Sequence, residues 1–169
     1  MRFEAVDGTC FQMKILGYAE PYARTYGQAN LLRQKININC AYGSWLADYS
    51  GFTTYETAWL AEWLEQVAAG TATRQRLDFL EPSLAFTLLD LPADCGAGRS
   101  LRIYLEGQAH PGGRFGLCGG AHDTWLDFPL ITDEALFQAA IELRKTLLKY
   151  PERKRQVRAA HTNKAINVW

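Results

Sequence analysis

The sequence predicts an α+β fold: an antiparallel β-sheet of about seven strands with two main helices packed against it. Three observations predict it. Apolar and polar residues alternate with period 2 over most of the chain, the pattern of half-buried strands. Two segments switch instead to helical spacing and carry capping signals. The strands also follow one another without crossover helices, which requires antiparallel pairing.

Taken in order, Phe11, Met13 and Ile15 alternate with Cys10, Gln12 and Lys14 as a first strand that ends at Gly17, with Pro21 confirming the break. Ile36, Ile38 and Cys40 alternate with Lys35, Asn37 and Asn39 as a second. Gly43 marks a turn, and Trp45 to Tyr49 reads as a third. Thr53-Thr54-Tyr55-Glu56 has capping-box spacing. Trp59, Leu60, Trp63, Leu64 and Val67 then lie on one broad apolar helical stripe, read as core, and Gly70 closes the helix. Strands resume at Leu77 and Phe79, at Leu84, Phe86 and Leu88, at Leu101, Ile103 and Leu105, and over 124–130. Thr132 is a good N-cap for a second helix, with Asp133 and Glu134 in its first turn and Pro151 as its stop. Leu136, Ala140, Leu143 and Leu147 share a face of it. The predicted order is β-β-β-α-β-β-β-β-α. Residues 1–151 read as a single α+β domain, and 152–169 as a basic C-terminal tail, either a short extra helix or a mobile end.

At 169 residues the chain is long enough to bury a real hydrophobic core. No apolar run is long enough to span a bilayer, and the N-terminus shows no targeting pattern, so a cytoplasmic protein is expected. Cys10, Cys40, Cys95 and Cys118 form no C-x-x-C pair and read as reduced thiols. The formal net charge is zero but unevenly placed. Residues 1–143 hold 10 Lys/Arg against 17 Asp/Glu, and 144–169 hold 8 against 1. An acidic body argues against direct nucleic-acid binding. The basic end suits either a helix C-terminus or a functional tail.

The sequence offers no catalytic, cofactor or metal set. The carboxylates Glu81, Asp90, Glu106 and Asp127 lie at strand ends or on polar strand faces, with nothing to pair them. His110, Cys118 and His122 flank a Gly-rich loop with spacing H-x7-C-x3-H, which matches no established metal pattern. The glycines around 112–120 lie between strands, not between a strand and a helix, so they do not form a phosphate-binding turn. Long loops are often binding loops, and Arg114 and Phe115 are residue types that anchor interfaces. Trp45 is read either as core or as part of an interface, with Asp48 adding negative charge and Tyr49 beside it. The candidate partner-binding residues are therefore Trp45, Asp48, Tyr49, Glu106, His110, Arg114 and Phe115.

Several segments in fixed order carry a resemblance. FQMKILGYAEPY opens it, with an ILGY-x-x-P run. ETAWLAEWLEQVAAG, LDFLEPSLAF, LRIYLEGQAHP and WLDFPLITDEALFQAAIELRKTLLKYPER follow. Together, over about residues 9–153, they resemble the WapI-like immunity proteins of bacterial polymorphic toxins. The glycines at 112–113 and beyond depart from the family's pattern, where a more aromatic, proline-containing turn is expected. The resemblance implies a non-catalytic protein that neutralises a cognate toxin by binding its C-terminal domain, in some systems a nuclease. Charge complementarity between an acidic body and a basic toxin fits that role. A small-ligand-binding or enzymatic domain, with 107–122 as a lid, is the alternative. Self-association as a homodimer is compatible with either.

Overall fold

The alternating segments become strands in the computed structural model, which describes residues 1–41, 43–81, 83–92, 98–111 and 124–154. The α+β expectation holds. Eight strands are present against the expected seven or so, divided between two four-stranded antiparallel sheets. The first sheet has the order β1-β2-β3-β4, with β1 at Arg2–Glu4, β2 at Cys10–Tyr18, β3 at Leu31–Cys40 and β4 at Gly43–Thr53. The second has the order β5-β6-β7-β8, with β5 at Arg76–Asp78, β6 at Leu84–Leu91, β7 at Gly98–Leu105 and β8 at Thr124–Pro129. Helix α2 (Thr54–Ala68) joins the sheets and α3 (Asp133–Lys149) follows the last strand. A short helix, α1 (Tyr26–Asn30), precedes β3.

Two of these elements have no counterpart in the sequence reading. Strand β1 is three residues long, too short for alternation to register. The hairpin that returns it to β2 uses Asp7-Gly8. Gly8 takes φ 86°, and the Thr9 N–H donates to Asp7 Oδ1 at 2.8 Å. Helix α1 is one turn held by Thr25, whose hydroxyl accepts from the Gln28 N–H.

The two inner faces meet at aromatic rings. Phe3 of β1 lies 5.9 Å from Phe128 of β8, and Phe11 of β2 lies 6.3 Å edge-on from Phe86 of β6. Phe52 of β4 and Phe79 are 4.2 Å apart. Ile36, Ile38, Leu84, Leu101 and Ile103 fill the same core. Burying one such side chain stabilises the fold by about 2 kcal/mol. Pro129 is tolerated in β8 because that strand lies at a sheet edge.

Strand β4 runs straight into α2, and the capping box is present as the sequence predicts. The Glu56 N–H donates to Thr53 Oγ1 at 3.2 Å, and the Thr53 N–H donates to Glu56 Oε2 at 2.9 Å. The Thr53 hydroxyl also donates to that oxygen, at 2.7 Å. The other carboxylate oxygen accepts the Leu80 N–H at 2.8 Å. Glu56 is 1% exposed, so three donors hold a buried carboxylate where the first sheet, α2 and the β5–β6 connection of the second sheet converge. Gly70 ends the helix with φ 69°, as expected.

Leu60, Trp63, Leu64 and Val67 are buried on α2 and Leu136, Ala140 and Leu143 on α3, as their spacing predicts. Trp59 is the exception. It is 49% exposed, because the buried face of α2 is centred on Glu56, Leu60, Leu64 and Val67 and Trp59 falls to one side of it. A bidentate pair from Arg144 to Glu65, at 3.1 and 2.9 Å, ties the two helices. Arg99 of β7 donates to the Val67 carbonyl at 2.7 Å and pairs with Asp133 at the start of α3.

The chain beyond α3 docks on the first sheet. The Asn30 side chain donates to the Arg153 carbonyl at 3.0 Å and accepts the Arg153 N–H at 2.7 Å. The Arg153 guanidinium lies 3.4 Å from the Tyr18 ring centroid. The tail reading for 155–169 falls outside the described residues.

Two predictions follow from these ties. Glu56→Ala strands the buried Thr53 and Leu80 donors and lowers the unfolding free energy by about 3 kcal/mol in urea titration. Glu56→Gln must aim its amide NH2 at one of those donors and costs at least about 1 kcal/mol. The second concerns pH. The hydrogen bonds from Arg144 hold the Glu65 carboxyl below its ordinary range. The pair therefore stabilises the fold above the ordinary carboxylate pKa, and that contribution is lost as pH falls through the depressed value. Both groups are partly solvated, so it amounts to about 0.5 kcal/mol. Arg144→Ala should flatten the pH–stability curve by that amount on the acid side.

Candidate functional site

Strand β4 sends its candidates in opposite directions. Trp45, Ala47 and Tyr49 face the core, whereas Leu46 and Asp48 face outward, as period 2 requires. Trp45 is 8% exposed and Tyr49 7%, so of the two readings open for Trp45 the structure takes the core one, and Tyr49 is buried beside it. Asp48 is on the outer face, and Arg33 grips it with two nitrogens at 2.8 and 2.9 Å. That ion pair, with Lys35 nearby, holds the Asp48 carboxyl below its ordinary range.

Trp45 reaches through the core to the Gly-rich loop. Its indole N–H donates to the Ala109 carbonyl at 3.2 Å. Ala109 closes a 3-10 turn over Gly107–Ala109 that follows Glu106. The Glu106 N–H donates to the Ser83 carbonyl, and the Glu106 carbonyl accepts from Ala109 and His110. The His110 Nε2 lies 2.9 Å from the Thr124 hydroxyl, on the far side of the loop. The structure thus brings Trp45, Glu106 and His110 together at the base of the loop. Their contacts there are those of a brace: each fixes backbone or closes the loop's two ends. Arg114, Phe115, Cys118 and His122 lie outside the described residues. Among the described residues no group of three or more His, Cys, Asp or Glu side chains is placed to hold a metal ion. Cys10 and Cys40 are free thiols, both half-buried.

Beneath Tyr49 is a buried polar pocket of side chains. Gln34 stands opposite Tyr49 across the β3–β4 ladder and is fully buried. Neither its amide nor the Tyr49 hydroxyl makes a well-formed hydrogen bond among the described residues. Burial pushes the Tyr49 hydroxyl up to about 12, with Gln34 and Ser83 pulling weakly the other way. Gly51 leaves the room both side chains need. A Cβ there would sit 2.8 Å from Gln34 Cδ and from Tyr49 Cε2.

Two exposed aromatic groups stand out. The first is on the outer face of the second sheet. Arg76 lies over the Tyr104 ring at 4.6 Å and Arg102 over the Trp125 ring at 4.8 Å. Arg102 also makes a bidentate pair with Asp127, at 2.7 and 2.8 Å. The second is on the helices. Tyr26 of α1 stacks nearly parallel on Tyr55 of α2 at 6.3 Å, and Tyr55 meets Trp59 at 5.4 Å. Tyr55, Trp59, Glu62 and Gln66 follow helical spacing on the side of α2 away from the core, and the Glu62 carboxylate accepts from the Gln66 amide. The sequence held a signal for this group. Tyr55 and Trp59 are four apart, a spacing that separates them from the Leu60/Leu64/Val67 face.

Against this geometry the comparisons are decisive for the family. A family model described as the immunity protein WapI-like family matches residues 2–151. The chain belongs to the WapI-like immunity protein family. The match covers both sheets and all three helices, and it ends where the chain docks on Asn30. No curated protein matches the chain. No helix among the described residues is long and apolar enough to cross a membrane. For a member of this family, exposed Trp and Tyr rings are the natural places to look for partner contacts.

The buried polar pair predicts its own test. Gly51→Ala drives a methyl into Gln34 and Tyr49 and should cost about 2 kcal/mol in thermal or urea unfolding. Adding Gln34→Ala, which removes the clashing amide, should recover part of that loss.

Proposed function

We propose that the protein neutralises a cognate bacterial toxin by binding its C-terminal domain, and that the toxin domain is basic, as nuclease domains commonly are. Membership of the WapI-like immunity family over residues 2–151 carries this reading. The charge distribution supports it: residues 1–143 hold 17 acidic groups against 10 basic ones. An acidic surface attracts a basic domain, speeds encounter and disfavours acidic partners. The contacts of Trp45, Glu106 and His110 at the loop base are compatible with a binder: the Trp45 indole meets the Ala109 carbonyl, the His110 ring meets the Thr124 hydroxyl and the Glu106 backbone bonds to Ser83. The protein acts in the cytoplasm, where a toxin with an intracellular target does its damage, and it acts by occupancy, not by chemistry.

A survival assay tests the reading. The toxin domain encoded immediately upstream is expressed in bacteria with and without this protein. Co-expression should restore growth, and the purified pair should form a complex whose affinity falls as salt rises. Restored growth without a complex would overturn neutralisation by binding. Absence of rescue, with both proteins expressed, would remove support for this toxin as the partner.

A further inference from the structure

We propose that the ladder Tyr26–Tyr55–Trp59 is the docking surface for the toxin, and that it receives a lysine- or arginine-bearing segment of it. The inference rests on the toxin reading above and names the surface and chemistry of that contact. The three rings form a continuous line, with Tyr26 39% and Trp59 49% exposed. Trp is highly buried on average, and exposed Trp and Tyr rings grouped together are the residue types that dominate binding energy.

The faces of these rings distinguish them from the exposed rings of the second sheet. Four other rings of the described residues carry a cation from the chain itself. Arg153 lies over Tyr18, Arg76 over Tyr104, Arg102 over Trp125 and Lys149 over Tyr150. No cation of the described residues lies over Tyr26, Tyr55 or Trp59. A ring face draws a cation through its quadrupole, so among the described residues the ladder has open capacity where the second sheet's face is already occupied.

Carboxylates border the ladder. Glu62 shares the exposed side of α2 with Tyr55 and Trp59. The Tyr26 hydroxyl donates to Glu152, at the other end. Both carboxylates bond to neutral donors, the Gln66 amide and the Tyr26 hydroxyl. Bare ring faces between carboxylates recognise a cationic side chain, whose stem packs on the rings while its head meets a carboxylate. A basic toxin segment matches that description, and an acidic or purely apolar partner does not.

The test measures binding of the upstream-encoded toxin domain by titration calorimetry to the full-length protein. Trp59→Ala should weaken binding by about 30-fold and Tyr55→Ala by about tenfold, with Trp59→Phe recovering part of the loss. Glu62→Gln with Glu152→Gln should reduce the salt dependence. Trp125→Ala, on the second sheet, should bind like the parent. Circular dichroism checks that each variant is folded. Binding by both ladder variants within threefold of the parent overturns the proposal. So does a loss that follows Trp125→Ala instead, or a ladder variant that alters only self-association in sedimentation, which would make a second copy the occupant. If the parent itself fails to bind, the toxin reading fails first and this contact fails with it.

Discussion

The Glu56 carboxylate accepts from the Thr53 N–H, the Thr53 hydroxyl and the Leu80 N–H at the point where strand β4 becomes helix α2. One of these bonds completes a local cap, which a short peptide could form. Another reaches 24 residues along the chain, to the β5–β6 connection of the second sheet. A carboxylate out of water is costly unless its oxygens are satisfied, so the site tolerates little displacement. The two sheets are therefore joined twice: by aromatic rings, which set distance but allow sliding, and by a directional contact that fixes the corner. The direction of α2 follows from this corner, and so does the position of its outer face.

Much of the fold was legible because its signals are local. Alternation placed β2, β3, β6, β7 and β8, and the capping signals placed α2 and α3. The division of the strands into two sheets was not legible, because pairing is a long-range property. Strand β5 begins a new sheet, instead of extending the first, because α2 intervenes and Glu56 holds the following segment across the core. Strand β1 and helix α1 were missed for lack of length: three and five residues give no period.

The candidate residues divide in the same way. Trp45 and Tyr49 were open to either reading, since an aromatic in a strand fits core or surface. Only the parity of β4, with Ala47 between them and Asp48 outside, decides that both point inward. Their contribution is indirect. Trp45 anchors Ala109, and His110 meets Thr124 across the chain. Trp59 was read as core because it adjoins Leu60 in an apolar run. A shift of one position on a helix is a turn of about 100°, enough to move a large ring from the interior to the surface. Trp59 joins several other large hydrophobics left exposed, and its contact with Tyr55 sets two rings side by side there.

The same residue types can stabilise a fold or await a partner, and the state of their faces separates the two. On the second sheet, Arg102 is shared between Asp127 and the Trp125 ring, so its charge is balanced and the ring covered. An approaching protein would have to displace a contact already made. On α1 and α2 the ring faces carry no such contact from the described residues, and the nearby carboxylates Glu62 and Glu152 bond to neutral donors, a glutamine amide and a tyrosine hydroxyl. Those bonds leave the negative charge uncancelled. Binding a cation there adds an ion pair and a ring contact without breaking either elsewhere in the described fold. For the proposed basic partner, exposed rings beside carboxylates that bond only to neutral donors meet the energetic requirement with little reorganisation.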